Sequence, residues 1–227
     1  RQLGETIRTL SADDSLHCIV LRGAGDKSFA PGNDISEFKD ARSNSVDAKE
    51  YGEIHHEALA ALSECRQPLV ALIQGICVGG GLEIASLCDL RICGESSRFG
   101  IPIKRLGLCA GIREMQGLYE LVGKAVTMEI LLEGRILDAA EALQKGLVTR
   151  VVSDDEVFDE AYATARRIAD GAPLVARWHK QFMRRLGDPA PLTEAEKDAS
   201  YLCYDTEDFH IGYQSFLDKT KPVFKGK

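Results

Sequence analysis

The chain has 227 residues, of which 44% are hydrophobic and 28% charged, so it carries enough apolar material for a sizeable core. Its formal net charge of −7 argues against general nucleic-acid binding, which needs a basic surface, although a local group of lysines and arginines can still hold a small polyanion. The seven cysteines are odd in number and form no CxxC pair, which predicts neither a zinc site nor a disulfide framework and favours a reducing, cytoplasmic compartment. Neither a signal peptide nor a long apolar stretch is found, so no membrane partner is expected.

The N-terminal elements predict a helix followed by a strand. Residues 2–10 carry apolar side chains at helical spacing, and residues 17–22 are rich in Ile, Val and Leu. Gly23 and Gly25 then resemble the start of a dinucleotide-binding fingerprint. Ser28 stands where that motif needs a third small residue, and a Pro-Gly pair soon follows, which argues against this alternative.

The next loop spans residues 28–34. Gly32 and Asn33 tolerate unusual backbone angles, so the loop can direct an N–H group inward, and Asp34 can cap a short helix behind it. An ordinary surface turn is an equal alternative from these residues alone. The polar segment 39–49 is predicted to be a mobile loop.

Residues 51–66 then predict a helix with one apolar face. It carries His55 and His56, which are adjacent and therefore point in different directions. Because such a pair is poorly placed to share a metal, the sequence favours a solvated or capping role for both.

The most informative stretch of the chain reads PLVALIQGICVGGGLEIASLCD and begins at Pro68. Residues 69–73 predict a buried strand, residues 79–81 are three consecutive glycines, and residues 82–87 show an apolar helical pattern. Bare glycine backbone at a helix start offers N–H donors to an oxygen that carries negative charge. Glu83 lies about one turn after Gly80, on the same face, which suggests proton transfer beside a polarised carbonyl. A glutamate that only complements the helix dipole is the equal alternative.

The remaining elements are strands, a long site-lining connection over residues 100–111, and helices. The predicted strands cover residues 90–93, 98–99 and 148–152, and the predicted helices cover residues 115–122, 124–132, 138–145, 155–170, 173–186, 193–202 and 207–219.

Taken together, these segments resemble the enoyl-CoA hydratase/isomerase (crotonase) superfamily. The similarity is collinear over nearly the whole chain and includes CIVLRGAGDKSF, FAPGNDI, QPLVALIQGICVGGGLEIASLCDL, FGIP, LVGKAVTMEILLEGRILDAAEALQKGLVTRVV and EDFHIGYQSFLDKTKPVFKGK. The resemblance implies an α/β fold, a crotonase-like spiral of strand-strand-helix turns. It implies a core over residues 1–150, without the strands that usually open it, and a helical region over 151–227 for trimerisation and CoA closure.

The resemblance also implies an acyl-CoA substrate, with coenzyme A as part of that substrate and no further cofactor or metal. The backbone N–H groups of Asn33 and Gly80 match the pair that holds the thioester oxygen in relatives, and Glu83 matches a catalytic glutamate. Other positions that the resemblance places against the substrate are Ala30, Gly32, Asp34, Gly79, Ile103, Phe216 and Lys219. The expected assembly is a homotrimer or a dimer of trimers.

Some residues depart from the family pattern. Ile103 stands where hydratases usually carry a second glutamate, and it cannot transfer a proton; Ser36 replaces a common lysine. Glu114 is the nearest acidic residue further along, although a solvated carboxylate at a helix start is the favoured interpretation of it. Lys104 and Arg105 are expected either to attract CoA phosphates or to form a surface pair.

The sequence therefore leads to an acyl-CoA enzyme of hydratase or isomerase type, with Glu83 as its acid/base. A CoA-ester binding protein without turnover, or an enzyme for decarboxylation, isomerisation or C–C cleavage, is the alternative that Ile103 keeps open. An RNA-binding relative is disfavoured by the acidic balance.

Overall fold

The computed structural model describes residues 1–227, except for the side chain of Ala41. Its strands form two four-stranded sheets. The first sheet contains β1 (Ile19–Arg22), β3 (Leu69–Ile73), β5 (Leu90–Gly94) and β8 (Arg150–Val152), in that order and all parallel. The second contains β2 (Ser28–Ala30), β4 (Ile76–Val78), β6 (Arg98–Gly100) and β7 (Leu137–Asp138), of which only β7 runs antiparallel to its neighbour.

Strands β1 to β6 therefore alternate between the two sheets, and a helix returns the chain each time from the second sheet to the first. The described α-helices are α1 (Gln2–Ala12), α2 (Phe38–Ala41), α3 (Ser45–Glu64), α4 (Gly80–Ser86), α5 (Ile112–Glu133), α6 (Ala139–Gln144), α7 (Val157–Ala169), α8 (Pro173–Leu186), α9 (Glu194–Asp198) and α10 (Glu207–Asp218). The order strand, strand, helix occurs three times, with α3, α4 and α5 each following one strand from each sheet. This order is what the crotonase-like prediction requires of the chain.

The core lies around β3, whose five residues are all buried. Val70 and Leu72 face Val157 and Ala161 of α7, whereas Leu69, Ala71 and Ile73 belong to the larger cluster on the opposite side. A parallel strand covered on both faces needs apolar side chains at every position, which explains the uninterrupted run of the sequence. This rigid centre carries the glycine segment that follows it.

The structure corrects several sequence predictions. The segment 39–49, predicted to be a mobile loop, contains most of α2 and the start of α3. The side chain of Asn44 accepts hydrogen bonds from the N–H groups of Val46 and Asp47, so α3 has a regular N-cap well before the predicted start at residue 51.

Three further predictions were wrong in detail. Strands β2 and β4 lie in segments that were read as a loop and a glycine turn. The two helices predicted over 115–122 and 124–132 are confirmed by contrast, because the run α5 is interrupted at Gly123, whose φ of 71° and ψ of 174° are not helical. The helix predicted over 193–202 is the short α9 followed by a 3-10 helix over Ala199–Asp205.

Candidate active site

Two loops meet at one edge of the second sheet. Strands β2 and β4 are parallel neighbours, with Ser28 beside Ile76 and Ala30 beside Cys77. Because parallel strands end at the same edge, the segment after Ala30 and the segment after Val78 must lie side by side. This pairing brings the Asn33 loop against the glycine turn that opens α4.

The two backbones touch closely at that edge. A Cβ atom placed on Gly32 would lie 3.2 Å from the carbonyl oxygen of Val78 and 3.6 Å from the nitrogen of Gly80. Gly32 has φ of 92° and Gly79 has φ of 53°, a region that residues with a Cβ rarely adopt. Glycine at both positions therefore permits the close approach that the sequence analysis expected of these loops.

Gly80 is the first residue of α4, so its N–H group precedes the intrahelical hydrogen bonds of that helix. The first N–H groups that bond within the turn are those of Leu82 and Glu83, both to the carbonyl oxygen of Gly79. The Gly80 N–H is thus free to donate a hydrogen bond to another acceptor, such as a thioester oxygen.

Glu83 lies on the face of α4 that Gly80 occupies. It is only 8% exposed, and its Oε2 atom would lie 4.0 Å from a Cβ on Gly80. The side-chain oxygen of Asn33 would lie at the same distance from that point. The Glu83 carboxylate and the Asn33 side chain are therefore both held beside the backbone of Gly80.

His55 is the main residue of the candidate site that the sequence did not predict. It was predicted to be solvated or capping, yet its Nε2 atom lies 2.7 Å from Glu83 Oε2, and its side chain is 13% exposed. Its Cε1 atom would lie 3.5 Å from a Cβ on Gly80. The contact joins α3 to α4, and adjacency of two histidines in the chain gave no signal for it.

These residues border a cavity of about 600 Å³, which is large enough for a small organic group. Its walls combine the predicted residues Gly32, Asn33, Gly79, Gly80, Glu83 and Ile103 with residues of α3, the 3-10 helix Pro102–Leu106 and the start of α5. Ile103 thus lies in the cavity wall as an apolar side chain, where the family pattern led us to look for a carboxylate.

The comparisons with known proteins identify the family of this chain. The profile of the family described as enoyl-CoA hydratase/isomerase matches residues 1–227. The chain belongs to the enoyl-CoA hydratase/isomerase family. As a member of this family, it is expected to share the fold of its solved relatives, which the structural comparison supports.

A crystal structure of an enoyl-CoA hydratase/carnithine racemase from Magnetospirillum magneticum is similar, with a TM-score of 0.98 and 49% identity over 100% of this chain and 85% of that chain. The short-chain-enoyl-CoA hydratase of Clostridium acetobutylicum is 32% identical over 224 residues, 97% of this chain and 85% of that protein. The 2,3-dehydroadipyl-CoA hydratase of Escherichia coli is 32% identical over 230 residues, 100% of this chain and 88% of that protein.

Other predicted site residues of this family member lie outside the cavity wall. Ala30 backs the glycine turn, since its carbonyl oxygen would be 2.2 Å from a Cβ on Gly81. Asp34 caps a short 3-10 helix, and hydrogen bonds from the Ser36 hydroxyl and N–H hold the pKa of the Asp34 carboxyl below its usual value. Their substrate contacts stay predictions.

The C-terminal residues also lie apart from the described cavity wall. Phe216 is 83% exposed on α10, and Lys219 ends that helix with φ of 55°. Neither residue contributes to the cavity within this chain. Their contact with the CoA nucleotide stays a prediction.

The charged residues Glu114, Lys104 and Arg105, for which the sequence left alternatives open, differ in their positions. Glu114 Oε2 accepts a hydrogen bond from the Gly111 N–H at 2.6 Å, which is the helix-start role that was favoured for it, and the residue also lines the cavity. His56 Nε2 lies 3.7 Å from the other oxygen of Glu114. Lys104 donates to the Leu132 carbonyl oxygen at 2.6 Å, whereas Arg105 lies in the cavity wall.

Two structural features are absent from the residues that the structure describes. No group of three or more His, Cys, Asp and Glu side chains is arranged to hold a metal ion in that part of the chain. No helix among the described residues has the length and apolar character needed to cross a membrane.

Proposed function

We propose that this chain hydrates an enoyl-CoA thioester. The observation that carries the proposal is Glu83, a shielded carboxylate at the wall of a cavity that Asn33 and Gly80 also border. The names of the relatives support the substrate class, since they include hydratases of several CoA thioesters.

In the proposed reaction, the backbone N–H groups of Asn33 and Gly80 donate hydrogen bonds to the thioester oxygen. Glu83 takes a proton from water while the water oxygen bonds to the β-carbon, and the C=C electron pair moves onto the thioester oxygen. The two donors stabilise this enolate oxygen more strongly than the starting carbonyl, which lowers the barrier. The enolate then collapses, and the α-carbon receives a proton.

The test compares Glu83→Gln with Glu57→Gln in a crotonyl-CoA hydration assay. The Gln side chain keeps the size of Glu83 but cannot accept a proton, so we expect turnover to fall by about 10²–10⁴-fold. Glu57 is an exposed glutamate on α3 outside the cavity wall, and its substitution controls for the loss of one negative charge. Unchanged turnover in Glu83→Gln would refute the assigned role.

A second candidate function is acyl-CoA binding without hydration, and Ile103 favours it because an apolar side chain transfers no proton. Calorimetric binding of acyl-CoA, with no product by mass spectrometry across a panel of thioesters, would support this candidate. The same panel detects decarboxylation, isomerisation or C–C cleavage, which use the same stabilised enolate oxygen.

We also propose that the helical region 151–227 assembles copies of the chain into a trimer or a dimer of trimers. Large apolar side chains are exposed there, which supports association with another surface. They include Tyr201, Leu202, Tyr204, Tyr213, Phe216 and Leu217. Sedimentation equilibrium tests the proposal, and a monomer at micromolar concentration would contradict it.

A further inference from the structure

The contact between His55 and Glu83 has the geometry of a directed hydrogen bond. The Nε2–Oε2 distance is 2.7 Å, and the two side chains are 13% and 9% exposed. A short contact between two shielded polar groups requires a hydrogen between them. The ring nitrogen supplies this hydrogen if the carboxylate is the proton acceptor of the reaction.

The other oxygen of Glu83 is left for the substrate. Among the described residues, Oε1 has no hydrogen-bond partner, whereas Oε2 is held by the ring. The same ring lies against Gly80, 3.5 Å from the position of a Cβ there. His55 therefore fixes the carboxylate from the side of the proposed oxyanion donor.

The neighbouring pair shows that this contact is not a general property of the helix. His56 and Glu114 also line the cavity, but their closest atoms are 3.7 Å apart. The second oxygen of Glu114 accepts the Gly111 N–H at 2.6 Å. Only the first pair combines a hydrogen-bond distance with an unpartnered carboxylate oxygen among the described residues.

We propose that His55 is a positioning residue that donates its Nε2–H to Glu83 Oε2 and thereby directs Oε1 at the substrate for both proton transfers. The inference rests on the proposed hydration. Oε1 takes the proton of the water molecule that adds to the β-carbon, and the C=C electron pair moves to the thioester oxygen. That pair then forms the new C–H bond at the α-carbon with the proton that Oε1 releases. His55 keeps its own proton throughout, and Ile103 takes no part.

The proposal explains how one carboxylate can serve where the family pattern has two. A carboxylate that rotates freely presents its oxygens to the substrate for only part of the time. Misplacement of a catalytic group by about 1 Å costs on the order of 10²-fold in rate. A donor that locks one oxygen removes this loss without needing a second proton-transfer group.

Three substitutions of His55 separate a positioning role from proton transfer by the ring itself. The amide nitrogen of Gln reaches about as far as Nε2 of histidine, the Asn amide is one methylene shorter, and Leu has no donor. We expect His55→Asn and His55→Leu to lower kcat for crotonyl-CoA by about 100-fold with little change in KM, and His55→Gln to restore most of it. His179→Gln, an exposed position on α8, is the control.

Two kinetic outcomes would overturn the proposal. If His55→Gln is as slow as His55→Leu, the ring must transfer a proton rather than hold the carboxylate. If His55→Leu keeps the wild-type kcat, the contact has no role in the reaction.

A nitrogen-15 NMR spectrum of histidine-labelled protein tests the contact without turnover, with the His55 signals assigned from the spectrum of His55→Gln. We expect a ring protonated at Nε2, whose signal moves in Glu83→Gln. A ring protonated at Nδ1, with Nε2 as acceptor, would refute the donor assignment. A wild-type chain that converts no enoyl thioester would instead refute the proposed function, and the spectrum then decides the hydrogen bond alone.

Discussion

Two adjacent glycines are predicted to respond in opposite ways to the same added methyl group. A Cβ on Gly80 would lie 3.5 Å from His55 Cε1 and 4.0 Å from both Asn33 Oδ1 and Glu83 Oε2, which are ordinary van der Waals distances. A Cβ on Gly81 would lie 2.2 Å from the Ala30 carbonyl oxygen, so this backbone must move. The first substitution fits the fold, whereas the second does not.

The expected magnitudes follow from these distances. Gly80→Ala stands in a helix at an unstrained φ and should change the free energy of unfolding by no more than about 1 kcal/mol, toward greater stability. Its methyl group would lie within 4.0 Å of both His55 and Glu83, at the wall that a thioester oxygen must approach, so kcat/KM should fall by roughly 10²-fold or more. Gly81→Ala should lose about 1–3 kcal/mol of stability.

Thermal unfolding and crotonyl-CoA hydration are measured on both variants. For a chain of this size, each kcal/mol corresponds to roughly 2–4 °C in Tm, so the loss in Gly81→Ala is measurable. The reasoning fails if Gly80→Ala keeps the wild-type kcat/KM, because the methyl group then blocks nothing. It also fails if Gly80→Ala melts well below Gly81→Ala.

Two further predictions concern titratable side chains. Cys109 is exposed in the cavity wall, so iodoacetamide should label it first, and a bound acyl-CoA should protect it from labelling. Burial raises the pKa of Cys88 and Cys93 to about 12 each. Mass spectrometry should therefore find both of these thiols unmodified in the native protein. The Arg185 guanidinium lowers the pKa of Glu196 to about 2 from its usual 4.5, so the stabilisation from this carboxylate is present above pH 4.5 and is lost as the pH falls through 2. The Tm difference between wild type and Glu196→Gln should therefore be constant near neutral pH and shrink between pH 4.5 and 2, and a difference that grows on acidification would contradict the assignment.

Local sequence signals predicted the centre of the molecule well. The apolar run of β3 predicts a buried strand, and the glycines after it predict a tight turn before a helix, without information from distant parts of the chain. By contrast, β2 and β4 have three residues each, which is too short for a periodic signal. These strands are stabilised by pairing with each other, and no local pattern reports such a pairing.

The start of α3 was missed for a different reason. Its first turns are polar and exposed, and the buried side chains begin only at Ala58, so the apolar pattern set in late. The N-cap signal was present, because Asn44 stands directly before the first helical residue. The polar composition of residues 39–49 led to the prediction of a loop, although the N-cap residue indicates where the helix begins.

The candidate site depends on tertiary structure in the same way as the short strands. Three glycines before a glutamate are equally consistent with a helix start that has no chemistry. Pairing of β2 with β4 favours the catalytic interpretation over a simple helix start, because it brings Gly32 against the Gly80 nitrogen. Packing of α3 across the same edge then places His55 on Glu83, 28 residues further along the chain. A carboxylate fixed by a neighbour and left with one open oxygen beside an unbonded N–H is poorly explained as a dipole partner, because that role requires neither the fixing contact nor the cavity.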